Sequence, residues 1–305
     1  MSFTPDRDIP DLSGKVIFVT GGNSGLGKES ILRFAKHNPR QIIMGARSQS
    51  KAQAAIAEIQ AIVPGANITF VEIDLSSFAS VKKAAGQVIQ ECDRLDILLN
   101  NAGLMGVDPG LTQDGYEMQF GSNHMGPALL TKLLMSLLDK TSKLPNSDVR
   151  VVQLSSALFQ LAPKGGILFP ELKTPMASFS GRALYGQSKL ANLYFIKSLA
   201  KRYPAIKCVS LHPGVVKTGI TNNTQNSYGC LSWVIAIGIK LFFTSVEVGA
   251  LGQLWASTGK ASEIKSGAYY EPFKKERKAN KLIDNSELAE KLWDWTEKEF
   301  SEHGL

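Results

Sequence analysis

The chain is poor in cysteine and histidine, with three of the first and four of the second among 305 residues. Cys92, Cys208 and Cys230 are odd in number and lack the paired spacing of a zinc site or a redox dithiol, so a reducing compartment and three apolar fillers are expected. His37, His124, His212 and His303 show no helix-paired ligand spacing, and no metal is expected. Long apolar runs are missing too. Leu231–Phe243 is strongly apolar, but Lys240 interrupts it and it falls short of the ~20 residues that cross a bilayer. It reads as a lid over a substrate pocket, with a buried helix or a surface anchor as the alternatives; peripheral membrane contact stays open and a transmembrane segment is not expected. Met1–Asp11 mixes acidic, basic and proline residues without an apolar core, which predicts neither a secretory signal nor an amino-terminal anchor and favours a cytoplasmic location.

What is present is apolar material. Hydrophobic residues make up 44% and charged residues 20%, enough for one large core with a small accessory region. The net charge of +7 is spread along the chain, and its densest run, Lys274, Lys275, Arg277, Lys278 and Lys281, reads as a solvated face. An aromatic platform or recognition helix for nucleic acid is lacking, so no nucleic-acid partner is expected.

Short runs rich in β-branched residues predict strands at Val16–Thr20, Ile42–Ala46, Ile68–Ile73, Ile97–Asn100, Val149–Ser155, Cys208–His212 and Ala268–Tyr270. Between them, apolar spacing of three and four predicts helices at Leu26–Lys36, Lys51–Ile62, Phe78–Glu91, Tyr116–Leu138 and Leu184–Tyr203, and Ser286–Phe300 adds an amphipathic helix at the end. This alternation implies an α/β fold with a doubly wound, mostly parallel sheet of the Rossmann type, one domain over residues 1–305. Irregular insertions are expected at Phe159–Gly181 and Asn222–Thr244, the second being the expected lid (222–244).

Directly after the first strand stands Thr20-Gly21-Gly22-Asn23-Ser24-Gly25-Leu26-Gly27. Glycines at 21, 25 and 27 permit a tight strand-to-helix turn and close backbone approach to a pyrophosphate, to which a helix amino terminus offers unpaired N–H groups. NAD sites usually carry an acidic residue about 20 positions on, for the ribose 2′-hydroxyl. Here Gly45-Ala46-Arg47-Ser48 puts a guanidinium there, so NADP(H) is expected over NAD(H). Asp74-Leu75 can bracket the adenine edge, and Asn100-Asn101-Ala102-Gly103 brings small residues and amides beside the cofactor; plain turn chemistry accounts for either equally well.

Tyr185-Gly-Gln-Ser-Lys189 opens a predicted helix, putting phenol and ammonium on one face. A free tyrosine titrates near 10; an adjacent ammonium and an oxidised nicotinamide both favour the phenolate. The chain resembles the short-chain dehydrogenase/reductase family, in its branch similar to retinol dehydrogenases. The matching pieces are Thr20–Gly27, Asp74-Leu75, Asn100–Gly103, Asn123-His124-Met125-Gly126, Ser155-Ser156, Tyr185–Lys189 with Leu190-Ala191-Asn192, and His212-Pro213-Gly214-Val215-Val216-Lys217-Thr218, in family order. The resemblance implies Tyr185 as acid–base, Ser156 holding the substrate oxygen, Lys189 gripping the nicotinamide ribose and Asn123 fixing a water in a proton relay. It also gives Pro213, Gly214, Val216 and Thr218 to the nicotinamide amide or pyrophosphate, and it implies a homodimer or homotetramer. Ser156 is chosen over Ser155 on the same ground, and strand alternation turns Ser155 the other way. Ser156 and Tyr185 stand 29 positions apart, longer than is common in the wider family, and the retinol-dehydrogenase-like branch also carries an insertion here.

The expected activity is hydride transfer between a nicotinamide and a carbonyl or alcohol of a hydrophobic small molecule. Leu158, Phe159, Leu161, Phe169 and Phe179 either line its pocket or pack elsewhere. A catalytically silent NADP(H) sensor on the same fold is the rival, and the joint presence of Asn123, Ser156, Tyr185 and Lys189 speaks against it.

Overall fold

A strand that leaves a sheet through a helix re-enters it in the same direction, so the alternating pattern builds a parallel sheet. The computed structural model describes residues 3–214, 244–271, 273–278 and 281–305. Its strands are β1 (Val16–Thr20), β2 (Gln41–Ala46), β3 (Ile68–Glu72), β4 (Ile97–Asn100), β5 (Arg150–Leu154), β6 (Lys207–Leu211) and β7 (Tyr269–Tyr270). They form one 7-stranded sheet in the order β3-β2-β1-β4-β5-β6-β7, every neighbouring pair parallel. The order reverses between β1 and β4, where Val19 lies beside Met44 on one side and Leu99 on the other. A crevice opens at such a switch point, at the carboxyl ends of the strands.

Successive strand residues face opposite sides, which gives two cores. Ile17, Val19, Leu99 and Val152 pack with Phe34 and Trp255, from helices α1 (Gly25–Ala35) and α6 (Val246–Thr258), with α2 (Gln49–Ile62) on the same side. Phe18, Leu98 and Val151 pack with Val81, Leu134 and Tyr194, from α3 (Phe78–Glu91), α4 (Gly126–Ser142) and α5 (Gly181–Arg202). The last helix, α7 (Ser286–Glu302), lies over α5, with Leu292 and Phe300 buried and Trp293 stacked on Phe195 at 5.6 Å. The helices start where side chains cap them. Ser48, Ser77, Ser180, Ser245 and Asn285 each accept a backbone N–H of the first turn. Ser24, in the same place before α1, makes no such bond.

Two expectations are corrected. The helix expected over Tyr116–Leu138 starts at Met118, where the Glu117 carboxylate takes the N–H groups of Gln119 and Phe120, and runs on to Ser142 as α4, widening into a π-helical turn at Gly121–Met125. A π turn holds an extra residue, and here Asn123 and His124, adjacent in sequence, are both buried. Nor is the basic run wholly solvated: Arg277 bonds Glu271 and lies 5.3 Å from the Phe159 ring centre. Residues 222–243 of the expected lid, with Val216, Thr218 and Cys230, lie outside the described residues. Cys92 and Cys208 are buried free thiols, and among the described residues no helix is long and apolar enough to cross a membrane.

Arg150 shows how the far end of the sheet is held. Its buried guanidinium donates to the carbonyls of Ala256 and Gly259, closing the end of α6, and pairs with Asp148. Arg150→Met is therefore expected to lower stability by about 3 kcal/mol, since carbonyls and a carboxylate lose their partner together, as checked by urea unfolding.

Candidate active site

The glycine turn is shaped by contacts that no larger residue allows. Gly21 adopts φ +65° beside Ala102, and a Cβ on Gly27 would stand 2.4 Å from the Gly21 carbonyl oxygen. The Asn101 side chain donates to the Thr20 carbonyl at 2.8 Å, and the Ala102 N–H donates to the Thr20 hydroxyl at 3.1 Å. Gln253, from α6, is fully buried and donates to the Leu26 carbonyl and the Ser30 hydroxyl at 3.1 and 2.6 Å. With Ser24 exposed and not capping, the first N–H groups of α1 face the crevice unclaimed by a side chain. Asn23 is half-buried at the same turn, and Leu26 is buried beneath it. A turn without side-chain bulk, leading to an uncapped helix start, fits a dinucleotide pyrophosphate.

The flanking residues divide. Arg47 is exposed at the end of β2, with no ion-pair partner among the described residues. Asp74 turns its carboxylate to the Ser76 N–H and hydroxyl, at 2.9 and 2.7 Å, so it closes its own turn; Leu75 beside it is buried. Pro213 and Gly214 lie half-buried at the end of β6, Gly214 at φ +87°.

Helix α5 brings the expected chemical groups together. Lys189 is buried, and its Nζ stands 5.4 Å from the centre of the Tyr185 ring. Ser156 lies beside the phenol and draws its proton affinity down, whereas Ser155 donates to the Lys189 carbonyl at 2.8 Å and so holds the helix. Burial pushes the Tyr185 phenol up to about 12 against the pull of Ser156, and it pushes the Lys189 ammonium down to about 8. In the free protein, then, desolvation prevails over the lowering expected at Tyr185. Asn123 donates to the Leu104 carbonyl at 2.9 Å and to the Ser188 hydroxyl at 3.0 Å, while its oxygen takes the Leu104 N–H. Both amide donors are engaged by protein, while the oxygen keeps one lone pair to which a water can donate.

Further residues complete the site. Within the tyrosine–lysine segment, Gln187 accepts the Leu168 N–H at 2.9 Å and pins the insertion at 159–181 to the helix. Phe159 is fully buried against Tyr269 at 5.6 Å, Phe179 is half-buried, and Leu161 is exposed. Sequence gave no sign of Gln253, distant in the chain from the turn it holds. Gly103, expected beside the cofactor, leaves little room at the reactive corner: a Cβ there would lie 3.2 Å from Lys189 Nζ and 3.3 Å from Asn123 Oδ1. Gly103→Ala is expected to fold, with a melting temperature near that of the parent, yet to lose turnover at least tenfold through displacement of the ammonium, as measured by consumption of reduced cofactor.

Comparison with known proteins gives the family. The model of the short chain dehydrogenase family matches residues 15–169. The short-chain dehydrogenase/reductase drtF of Aspergillus calidoustus is 34% identical over 97% of this chain and 97% of its own. Human retinol dehydrogenase 13 is 34% identical over 92% of this chain and 83% of its own. A crystal structure from Mycobacterium paratuberculosis superposes with a TM-score of 0.75 at 25% identity, covering 98% of this chain and 97% of that one. The chain belongs to the short-chain dehydrogenase/reductase family of nicotinamide-dependent oxidoreductases, in its retinol-dehydrogenase-like branch.

Proposed function

We propose that this oxidoreductase uses NADP(H) and passes hydride between the nicotinamide and a carbonyl or alcohol carbon of a hydrophobic small molecule, with Tyr185 as the acid–base. The observation that carries the reading is the Tyr185 phenol, flanked by Ser156 and set beside the buried Lys189 ammonium, at the carboxyl end of the same sheet as the uncapped helix. When bound, the nicotinamide supplies or accepts the hydride. Ser156 holds the substrate oxygen and stabilises the charge that develops on it. Tyr185, protonated at neutral pH, donates its proton to that oxygen in the reductive direction. Lys189 grips the ribose and favours the phenolate once the proton has left. Asn123 braces the same helix through Ser188, which supports a place for it at the start of a proton relay.

Cofactor choice rests on Arg47, whose free guanidinium suits a 2′-phosphate. Gly21, Asn23, Ser24, Gly25, Leu26 and Gly27 serve the pyrophosphate in this reading, and Asp74, Leu75, Asn101, Ala102 and Gly103 the adenosine and nicotinamide; the family resemblance gives Pro213, Gly214, Val216 and Thr218 to the nicotinamide amide or pyrophosphate. The retinol dehydrogenases among the relatives bear the name of an apolar alcohol, which supports a hydrophobic substrate. Cys92 and Cys208 are free thiols and suit a cytoplasmic protein; a homodimer or homotetramer completes the reading.

Screening ketones, aldehydes and quinones for NADPH oxidation tests the activity; a protein that oxidises NADPH with none of them sinks it. Tyr185→Phe is expected to keep NADPH affinity and circular dichroism while turnover falls at least a hundredfold. Retained turnover would remove the acid–base assignment. Arg47→Asp should move preference toward NAD(H), read as the ratio of kcat/KM for the two cofactors; an unchanged ratio means that the guanidinium never meets the phosphate.

A further inference from the structure

We propose that Asn192 is a positioning residue for the Lys189 ammonium, oriented in turn by the imidazole of His124. The inference rests on the role given to Lys189 above and adds to it the atoms that hold the ammonium in place. Lys189 Nζ donates to the Leu154 carbonyl at the end of β5, at 3.1 Å, its one hydrogen bond among the described residues. Asn192 Nδ2 donates to the same oxygen at 3.2 Å. A carbonyl oxygen has two lone pairs, so these two donors saturate it. Asn192 follows Lys189 by three residues on α5 and therefore shares its face. Lysine is a flexible stem with three donors. With one donor tied to an oxygen that cannot turn, the other two are left for the Tyr185 side and for the open space beside Gly103, where a ribose would lie.

The orientation of Asn192 follows from the same bond. Because Leu154 offers only an acceptor, the amide nitrogen faces it, and Oδ1 faces His124 Nδ1 at 3.4 Å. His124 is fully enclosed, and burial pushes its imidazole down to about 4, so it is neutral at working pH. A neutral ring has one donor. Placed on Nδ1 it serves Asn192, and Nε2 then accepts from the Thr296 hydroxyl of α7, a longer contact of 3.5 Å. The donors thus run one way, from Thr296 through His124 and Asn192 to the Leu154 oxygen that holds Lys189. Phe120 and Phe195 fix the ring, with centroids 5.0 and 5.9 Å away. Asn123 and His124, neighbours in one π turn, therefore brace α5 at Ser188 and at Asn192. The other titratable groups around this corner are Tyr185 on the same helix, His212 after β6, and Tyr269, Glu271 and Arg277 at β7.

The test uses the full chain and two readouts that need no substrate: titration of Lys189, followed by NMR of its ε-carbon, and NADPH affinity, followed by cofactor fluorescence. Asn192→Asp keeps the shape and adds a negative charge, and is expected to raise the Lys189 midpoint by about one pH unit. His124→Phe leaves Asn192 Oδ1 unpaired and is expected to weaken NADPH binding about tenfold, the worth of one hydrogen bond. His124→Gln, whose amide can still donate to Asn192, should restore most of that loss. A Lys189 midpoint unmoved in Asn192→Asp overturns the proposal, and so does NADPH affinity within twofold of the parent in His124→Phe. Should His124→Phe not fold, the titration of the isosteric Asn192→Asp decides alone. Lys189→Met separates the two levels. If it binds NADPH as the parent does, the ribose role of Lys189 falls; if it binds weakly while the Asn192 and His124 variants behave as the parent, only the positioning role falls.

Discussion

An ammonium group has been taken out of water here with no carboxylate beside it among the described residues. Lys189 is buried on α5, and among the described residues its charge is met by one carbonyl oxygen, that of Leu154. Burial with an acidic partner would have neutralised it locally and left nothing for a ligand. Burial against a single oxygen lowers its proton affinity and leaves two donors free, a state that an anionic or hydroxyl-bearing cofactor relieves. Much of the surrounding architecture serves that arrangement: Ser155 holds the carbonyl of Lys189 itself, Gly103 withholds a side chain from the space in front of it, and Asn192 shares its acceptor.

The proposed cofactor crevice and the helix that carries Tyr185 and Lys189 are tied to different parts of the chain. Gln253 and Asn101 join the glycine turn to α6 and to the end of β4, which lie far apart in sequence and meet at the switch point of the sheet. Helix α5 is instead braced by the π turn, by β5 and by α7. The two halves face each other across Gly103, so that the proposed acid–base and the proposed pyrophosphate site are set by separate networks with one shared edge.

Much of this was legible in the chain itself. The strands β1 and β4 lie where the β-branched runs put them, and α3 spans the expected Phe78–Glu91, because strand and helix periods act over neighbouring residues. The helix expected over 116–138 lies there too, but its start and its widened turn were missed for an equally local reason. Its apolar spacing is continuous, yet the Glu117 side chain claims the first N–H groups and the following turn widens, and periodicity carries no sign of either. Arg277 was read as solvated because its partners, Glu271 and Phe159, converge on it only in three dimensions.

By itself the sequence determined the parallel α/β class, the glycine turn after the first strand and the pairing of Tyr185 with Lys189, since all three depend on residues within a turn or two of one another. Only the tertiary structure decided that burial pushes the Tyr185 phenol up, that Lys189 is buried with no carboxylate partner among the described residues, and that Gln253, Asn192 and His124 support the site. Desolvation and hydrogen-bond saturation are properties of an enclosed volume, and enclosure is made by segments that the chain order keeps apart.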